Sequence, residues 1–209
     1  LGELLSLPIM WGHFEDLGLA PHRLDARNLF CTDARFGEAR VDKLTTAKRF
    51  KEADIDGYSL LIVEGFIGAT ADGVPTTLGR GGSDLSAALA ACFVGATAME
   101  KWTDVSGMMT CDPSVVKSAR VMPVLSYAEG MELCHFGAKV VYPPTIAQLK
   151  ESGIPLHIFK TANPEAPGTS IGGSLGETAD RANRGVRGLS SMKGVSLITV
   201  SGGGLIGAP

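Results

Sequence analysis

Leu78-Gly79-Arg80-Gly81-Gly82-Ser83-Asp84 runs directly into Leu85-Ser86-Ala87-Ala88-Leu89-Ala90-Ala91-Cys92. A glycine run gives way to an alanine-rich apolar segment, the pattern of a buried helix entered through a tight turn. Such a junction brings backbone N–H groups close to a ligand. The helix N-terminus adds unpaired donors and partial positive charge, which suit a phosphate or a carboxylate. Arg80 offers a bidentate donor to the same anion. Asp84 is a carboxylate placed where anions are expected to gather. Two readings of Ser83 and Asp84 stand side by side here: one of them caps the helix, or both belong to a site.

Outward from this junction, strands and helices alternate. Residues 59–63 form a continuous apolar run bounded by Gly57 and Gly65, as expected of a strand buried on both faces. Residues 65–81 read as a long loop at its end. Downstream, the pattern predicts a helix over 85–93 and a strand over 96–102 that ends at Thr103-Asp104. Helices over 128–136 and 144–151 and a strand over 154–159 follow. Upstream, residues 3–20 carry helical periodicity, with Pro8 expected to kink or delay the helix. Residues 24–31 read as a short strand, and 44–53 as an exposed helix. The alternation predicts the α/β class, a three-layer αβα sandwich around a mostly parallel sheet. Ligands of such sheets bind at the C-terminal ends of the strands, so residues 64–80 and 103–112 are expected on one rim. The pattern changes near Arg181, where a connector leads to residues 185–191 and 195–201, which read as the opening of a separate small unit.

Composition narrows the function classes. Apolar residues make up 44% of the 209, enough for a large core, and 27 glycines imply many tight turns. Net charge is −3 and the pI about 5.8, with no basic run, which argues against nucleic acid or an anionic membrane as partner. The longest apolar runs are far too short to span a bilayer. Cys31, Cys92, Cys111 and Cys134 are widely spaced without a C-x-x-C pair and read as reduced thiols. No basic leader precedes an apolar stretch, so the expected location is cytoplasmic. The start without Met and the end in a glycine loop read as a piece cut at both ends.

Other motifs bear on the chemistry. Residues 202–207 fit G-x-G-x-x-G after a strand, but neither the following helix nor a ribose-binding acid is visible. Neither a G-x-x-x-x-G-K-[ST] loop nor an H-R-D loop occurs, which removes Walker-type NTPases and protein kinases. Asp104 and Asp112 either order turns or hold a nucleotide and its Mg2+. Lys139, between Gly137-Ala138 and an apolar Val-Val-Tyr run, is either a solvated lysine or a site residue. The four histidines form no ligand spacing, and no metal site is expected.

Taken together, the chain resembles the aspartate kinases of the amino-acid-kinase family. The resemblance rests on Gly2-Glu3-Leu4-Leu5-Ser6, Leu24-Asp25-Ala26-Arg27, Glu64-Gly65-Phe66-Ile67-Gly68 and Thr77-Leu78-Gly79-Arg80-Gly81-Gly82-Ser83-Asp84. It continues through Trp102-Thr103-Asp104-Val105, Cys111-Asp112-Pro113, Phe136-Gly137-Ala138-Lys139-Val140 and residues 163–169. The tail at 195–202 resembles the first strand of an ACT regulatory domain, which reassigns the glycine motif at 202–207 to an ACT loop. The implied division is a catalytic domain over 1–180, lacking its first strand and loop, and a connector with the first ACT strand over 181–209.

The resemblance implies transfer of the γ-phosphoryl group of ATP, with Mg2+, to the side-chain carboxylate of L-aspartate. It implies that Arg80 grips a substrate carboxylate, Glu3 its ammonium group, and Gly81 and Ser83 help anchor it. Asp84 is then an active-site carboxylate. Thr103, Asp104, Met109, Ser114, Gly137 and Val140 fall at nucleotide-binding positions, and Lys139 reaches the phosphates. Such a reaction needs alignment and charge neutralisation more than covalent help. Met109 stands where the family has Tyr, and Ser114 where Arg follows Asp-Pro. An Arg lost from a triphosphate costs on the order of 2–3 kcal/mol. With the family's Lys-Phe-Gly-Gly-Thr-Ser stretch also missing, the 209 residues alone are expected to be inactive. A homo-oligomer and feedback by lysine or threonine through the ACT region are further implications. The alternatives are a kinase for another acidic amino acid and a non-catalytic regulatory chain.

Overall fold

The computed structural model describes residues 2–136, 140–173, 185–191 and 194–196. The chain opens with α1 (Gly2–Asp16), β1 (His22–Leu24), the single turn α2 (Ala26–Leu29) and α3 (Lys43–Glu52). Next come β2 (Leu61–Val63), β3 (Ile67–Ala69), β4 (Pro75–Thr77), α4 (Gly82–Val94) and β5 (Met99–Thr103). The remainder is β6 (Val124–Leu125), α5 (Tyr127–His135), α6 (Pro143–Ser152), β7 (Leu156–Lys160) and β8 (Thr169–Ile171). The class is α/β with mostly parallel pairing, as expected. β1 lies parallel to β2, and β5-β7-β8-β6 form a four-stranded sheet in which only the β7–β8 pair is antiparallel.

α4 is the wall shared by two cores. Its Ala88 and Ala91 pack into the cluster that holds Leu125, Ile146, Leu156 and Ile158, while its Leu89 packs into the cluster of Leu29, Phe30 and Phe50. The alanines keep this helix slim enough to lie against α6, and the leucine fills the other side. Both ends of α4 close on glycines in the left-handed region, Gly81 (φ 68°) and Gly95 (φ 65°).

Several local expectations change. The long loop expected over 65–81 contains the antiparallel hairpin β3–β4, whose alternation is too short to signal a strand pair from sequence. The strand expected over 24–31 is mostly the turn α2, because the Asp25 carboxylate caps it by accepting the Arg27 N–H. β2 is half-buried on both sides, not fully covered. Pro8 neither delays nor ends α1, which buries only Leu7. Without an N–H, it cannot donate to the Leu4 carbonyl. α3 and α5 start on side-chain caps, Asp42 and a Ser126–Glu129 capping box.

Residues 185–191 lie on the body of this fold: the Leu189 N–H donates to Thr110 O (2.8 Å), and Arg187 pairs with Glu129 (2.7 Å). The proposed ACT strand falls on 195–202, of which 197–202 lie outside the described residues.

Candidate active site

The glycine junction folds as a clamp around the first turn of α4. Neither Ser83 nor Asp84 caps the helix: the cap position is Gly81, which makes no side-chain bond. A Cβ at Gly81 would fall against the Tyr142 ring, and one at Gly82 would come within 2.7 Å of Phe66 Cδ2. Phe66 itself holds φ 70°, the only positive φ among the described non-glycine residues. That conformation is held from both sides. The Phe66 N–H donates to Ser86 Oγ (3.1 Å), its carbonyl accepts the Leu78 N–H (2.9 Å), and Ser86 Oγ donates onward to Ser83 O (3.0 Å). Backbone strain kept up by such cross-ties is a mark of a functional site. Arg80 and Ser83 are left exposed beside it, and among the described residues Arg80 has no ion-pair partner.

Asp84 points away from the cap. Its Oδ2 accepts from Lys101 Nζ at 2.5 Å, and both side chains are 19% exposed. Lys101 was not among the residues anticipated from sequence, although a signal existed. In β5, Met99, Lys101 and Thr103 share one face, Met99 is buried, and Glu100 and Trp102 are exposed. A lysine in the inward register of a strand needs a partner or a ligand.

Lys101 also lines a cavity of about 460 Å³ at the C-terminal end of β5. Of the anticipated nucleotide residues, Thr103, Asp104, Met109 and Val140 line it as well. The loop beneath is fastened by Thr169, whose buried hydroxyl accepts the Met108 N–H (2.9 Å) and donates to Met122 O (2.8 Å). Gly107 (φ 130°) lies so close to Thr169 Oγ1 that a side chain there would collide with it. Ser114 is exposed and turned onto Asp112, its hydroxyl 2.6 Å from Oδ1, and is not part of the lining. Gly137 and Lys139 lie outside the described residues.

The residues anticipated for the substrate, Glu3, Arg80, Gly81 and Ser83, do not line this cavity. Glu3 lines a second one, of about 330 Å³, together with Phe66 and Thr77. Phe66 thus joins the Glu3 cavity to the α4 junction, and the Lys101–Asp84 pair joins the junction to the larger cavity. The single rim expected from sequence is two cavities with the first turn of α4 between them. Glu64 is an internal tie and not a rim group: its side chain is fully buried, taking Arg23 Nη2 (2.9 Å) and the Ala26 N–H (3.1 Å).

The described charged groups of the larger cavity are Lys101, Asp104 and Asp112. Among the described residues no group of three or more His, Cys, Asp or Glu side chains comes together. Asp104 and Asp112 on the cavity wall fit the one or two carboxylates that accompany a Mg2+ held mainly by phosphates. The four cysteines are free, and burial pushes the Cys134 thiol up, so it behaves as an inert core group. Among the described residues no helix is long and apolar enough to cross a membrane.

The chain is similar to known proteins over most of its length. The chain is 38% identical over 206 residues to the bifunctional aspartokinase/homoserine dehydrogenase of Haemophilus influenzae, a match covering 99% of this chain and 25% of that protein. A crystal structure of Escherichia coli aspartokinase III in complex with aspartate and ADP superposes with a TM-score of 0.79 at 36% identity. That match covers 82% of this chain and 39% of the other. The same enzyme in complex with lysine and aspartate matches with a TM-score of 0.74, also at 36% identity, over 81% and 39% of the two chains. The chain therefore spans about a quarter to two fifths of the length of these relatives. The model of the amino acid kinase family matches residues 2–160, which include the α4 junction and most of the lining of the cavity at the end of β5, and the chain belongs to that family.

Proposed function

We propose that the chain is catalytic-domain sequence of an aspartokinase, which moves the γ-phosphoryl group of ATP onto the side-chain carboxylate of L-aspartate to give 4-phospho-L-aspartate. The observation that carries this reading is the Lys101–Asp84 pair. It sets the anion-seeking first turn of α4 against a cavity at a strand end, so an acceptor and a donor can meet there. The Escherichia coli enzyme that the chain resembles was crystallised with aspartate and ADP, which supports both ligands.

In this reading Arg80 binds a carboxylate of aspartate and Glu3 its ammonium group, with Gly81 and Ser83 presenting the backbone and hydroxyl of the turn. Asp84 orients the neighbouring cations. Thr103, Asp104, Met109, Ser114, Gly137 and Val140 belong to the nucleotide side, and Lys139 to the phosphates. Bound Mg2+ supplies charge neutralisation on the phosphates, with Asp104 and Asp112 as the residues to hold it. The rest is positioning, since a loose phosphoryl transition state asks for alignment and positive charge. Residues 1–180 are the catalytic part and 181–209 the connector and first ACT strand. Assembly as a homo-oligomer, feedback by lysine or threonine, and a cytoplasmic location complete the proposal. Lysine bound to the second Escherichia coli structure supports the feedback element.

Calorimetric titration of the 209-residue chain tests it. L-Aspartate is expected to bind saturably to the wild type and not to Arg80→Ala, with ATP and Mg2+ binding to both. Binding of L-glutamate in preference to L-aspartate would overturn the substrate assignment.

A further inference from the structure

We infer that Lys101 is a phosphate-binding residue of this site, carried on β5 and held ready by Asp84; the inference rests on the nucleotide reading above. Among the described residues that line the larger cavity, Lys101 carries the only positive charge, set against the carboxylates of Asp104 and Asp112. Within that described lining, Thr103, Ser190 and Ser191 offer a polyphosphate neutral hydroxyls, and the two carboxylates accept it only through a bridging cation, so Lys101 is the described side chain that attracts it directly. It also stands at the end nearest α4, where the acceptor is expected and where the terminal phosphate must therefore lie.

The geometry fits the task. An ammonium has three donors, and Asp84 Oδ2 takes one at 2.5 Å. The side chain is anchored in one position, so less rotamer entropy remains to be lost when a ligand arrives. The pair is close to neutral as a unit, which lets Asp84 sit in the first turn of α4 without driving an incoming anion away. Burial to 19% exposure weakens the competition from water for the remaining donors. Strand register supplies the direction: Thr103, two residues on and on the same face, lines the same cavity.

Calorimetry on the 209-residue chain with ATP and with adenosine separates this role from a structural one. Lys101→Met is expected to weaken ATP by about tenfold to a hundredfold, the range of a lost charge-assisted hydrogen bond, and to leave adenosine within about twofold. Lys101→Arg is expected to recover part of the loss. Unchanged ATP affinity in Lys101→Met, or equal weakening of ATP and adenosine, would overturn the inference while leaving the nucleotide reading in place. A wild-type chain that binds neither ligand would overturn both. Thermal unfolding accompanies each titration. Should Lys101→Met fail to fold, Lys101→Gln carries the same comparison, because it keeps a donor for Asp84 without the charge.

Discussion

Gly81 and Gly95 hold nearly the same left-handed φ at the two ends of α4, yet their surroundings differ. A Cβ at Gly95 meets nothing within 4 Å, whereas one at Gly81 falls on the Tyr142 ring. Gly95→Ala is therefore expected to cost only the backbone penalty, about 1 kcal/mol. Gly81→Ala adds overpacking and is expected to cost about 3 kcal/mol, read as the difference in urea midpoints at unchanged slope. Equal losses would mean that Tyr142 gives way freely. Glu64 and Arg23 make a second asymmetric case. Removing Glu64 leaves Arg23 43% exposed and solvated, while removing Arg23 leaves a fully buried carboxylate with one amide partner. Arg23→Ala is expected to cost about 3 kcal/mol and Glu64→Ala about 1–2 kcal/mol, the order that decides whether the tie is a buried charge problem or a packing one.

At the scale of elements, the loop that follows Thr103 and carries Asp104 is only as firm as Thr169. Thr169→Val keeps the shape but leaves the Met108 N–H and the Met122 carbonyl without partners. A loss of about 2–4 kcal/mol is expected, with faster hydrogen exchange at the Met108 amide and weaker ATP binding at unchanged aspartate binding. This fastening could not be read beforehand, because Thr169 lies sixty-one residues from Met108 and no local pattern joins them. What sequence did carry was local. Glycines around an alanine run announced α4, and an apolar run ending in Thr103-Asp104 announced β5. β6 and β8, at two and three residues, left no period to detect, and the hairpin β3–β4 was hidden for the same reason. Among the candidate site residues, the glycine turn that opens α4 was legible from chemistry alone, and anion binding there belongs to the proposal. The pairing of Asp84 with Lys101 needed the contact between α4 and β5, although the odd charge in the strand pointed to it.

For the whole molecule, the connector at 185–191 is the piece whose attachment responds to pH. Leu189, Ser190 and Ser191 line the larger cavity, and the segment is held by Arg187, which bridges Glu129 and the Val124 carbonyl. Burial acts to raise the Glu129 carboxyl, but bonds from Ser126 and the charge of Arg187 outweigh it and hold the group below its ordinary value of 4.5. As pH falls, the unfolded chain takes up this proton before the folded one does. The stability conferred by Glu129 is therefore complete above about pH 4.5 and is lost below it, as pH drops through the folded value. Arg187→Ala is expected to lower stability by about 1–2 kcal/mol at neutral pH, and the gap to wild type is expected to close below that point. Urea unfolding of both proteins across pH 3–7 measures it, and a gap that stays constant over that range would show that Arg187 acts through its bond to the Val124 carbonyl alone. The same tie sets the shape of the cavity wall, so ATP affinity in Arg187→Ala should fall in parallel with the stability gap: a loss at pH 7 that shrinks in acid would tie the connector to the nucleotide side of the site.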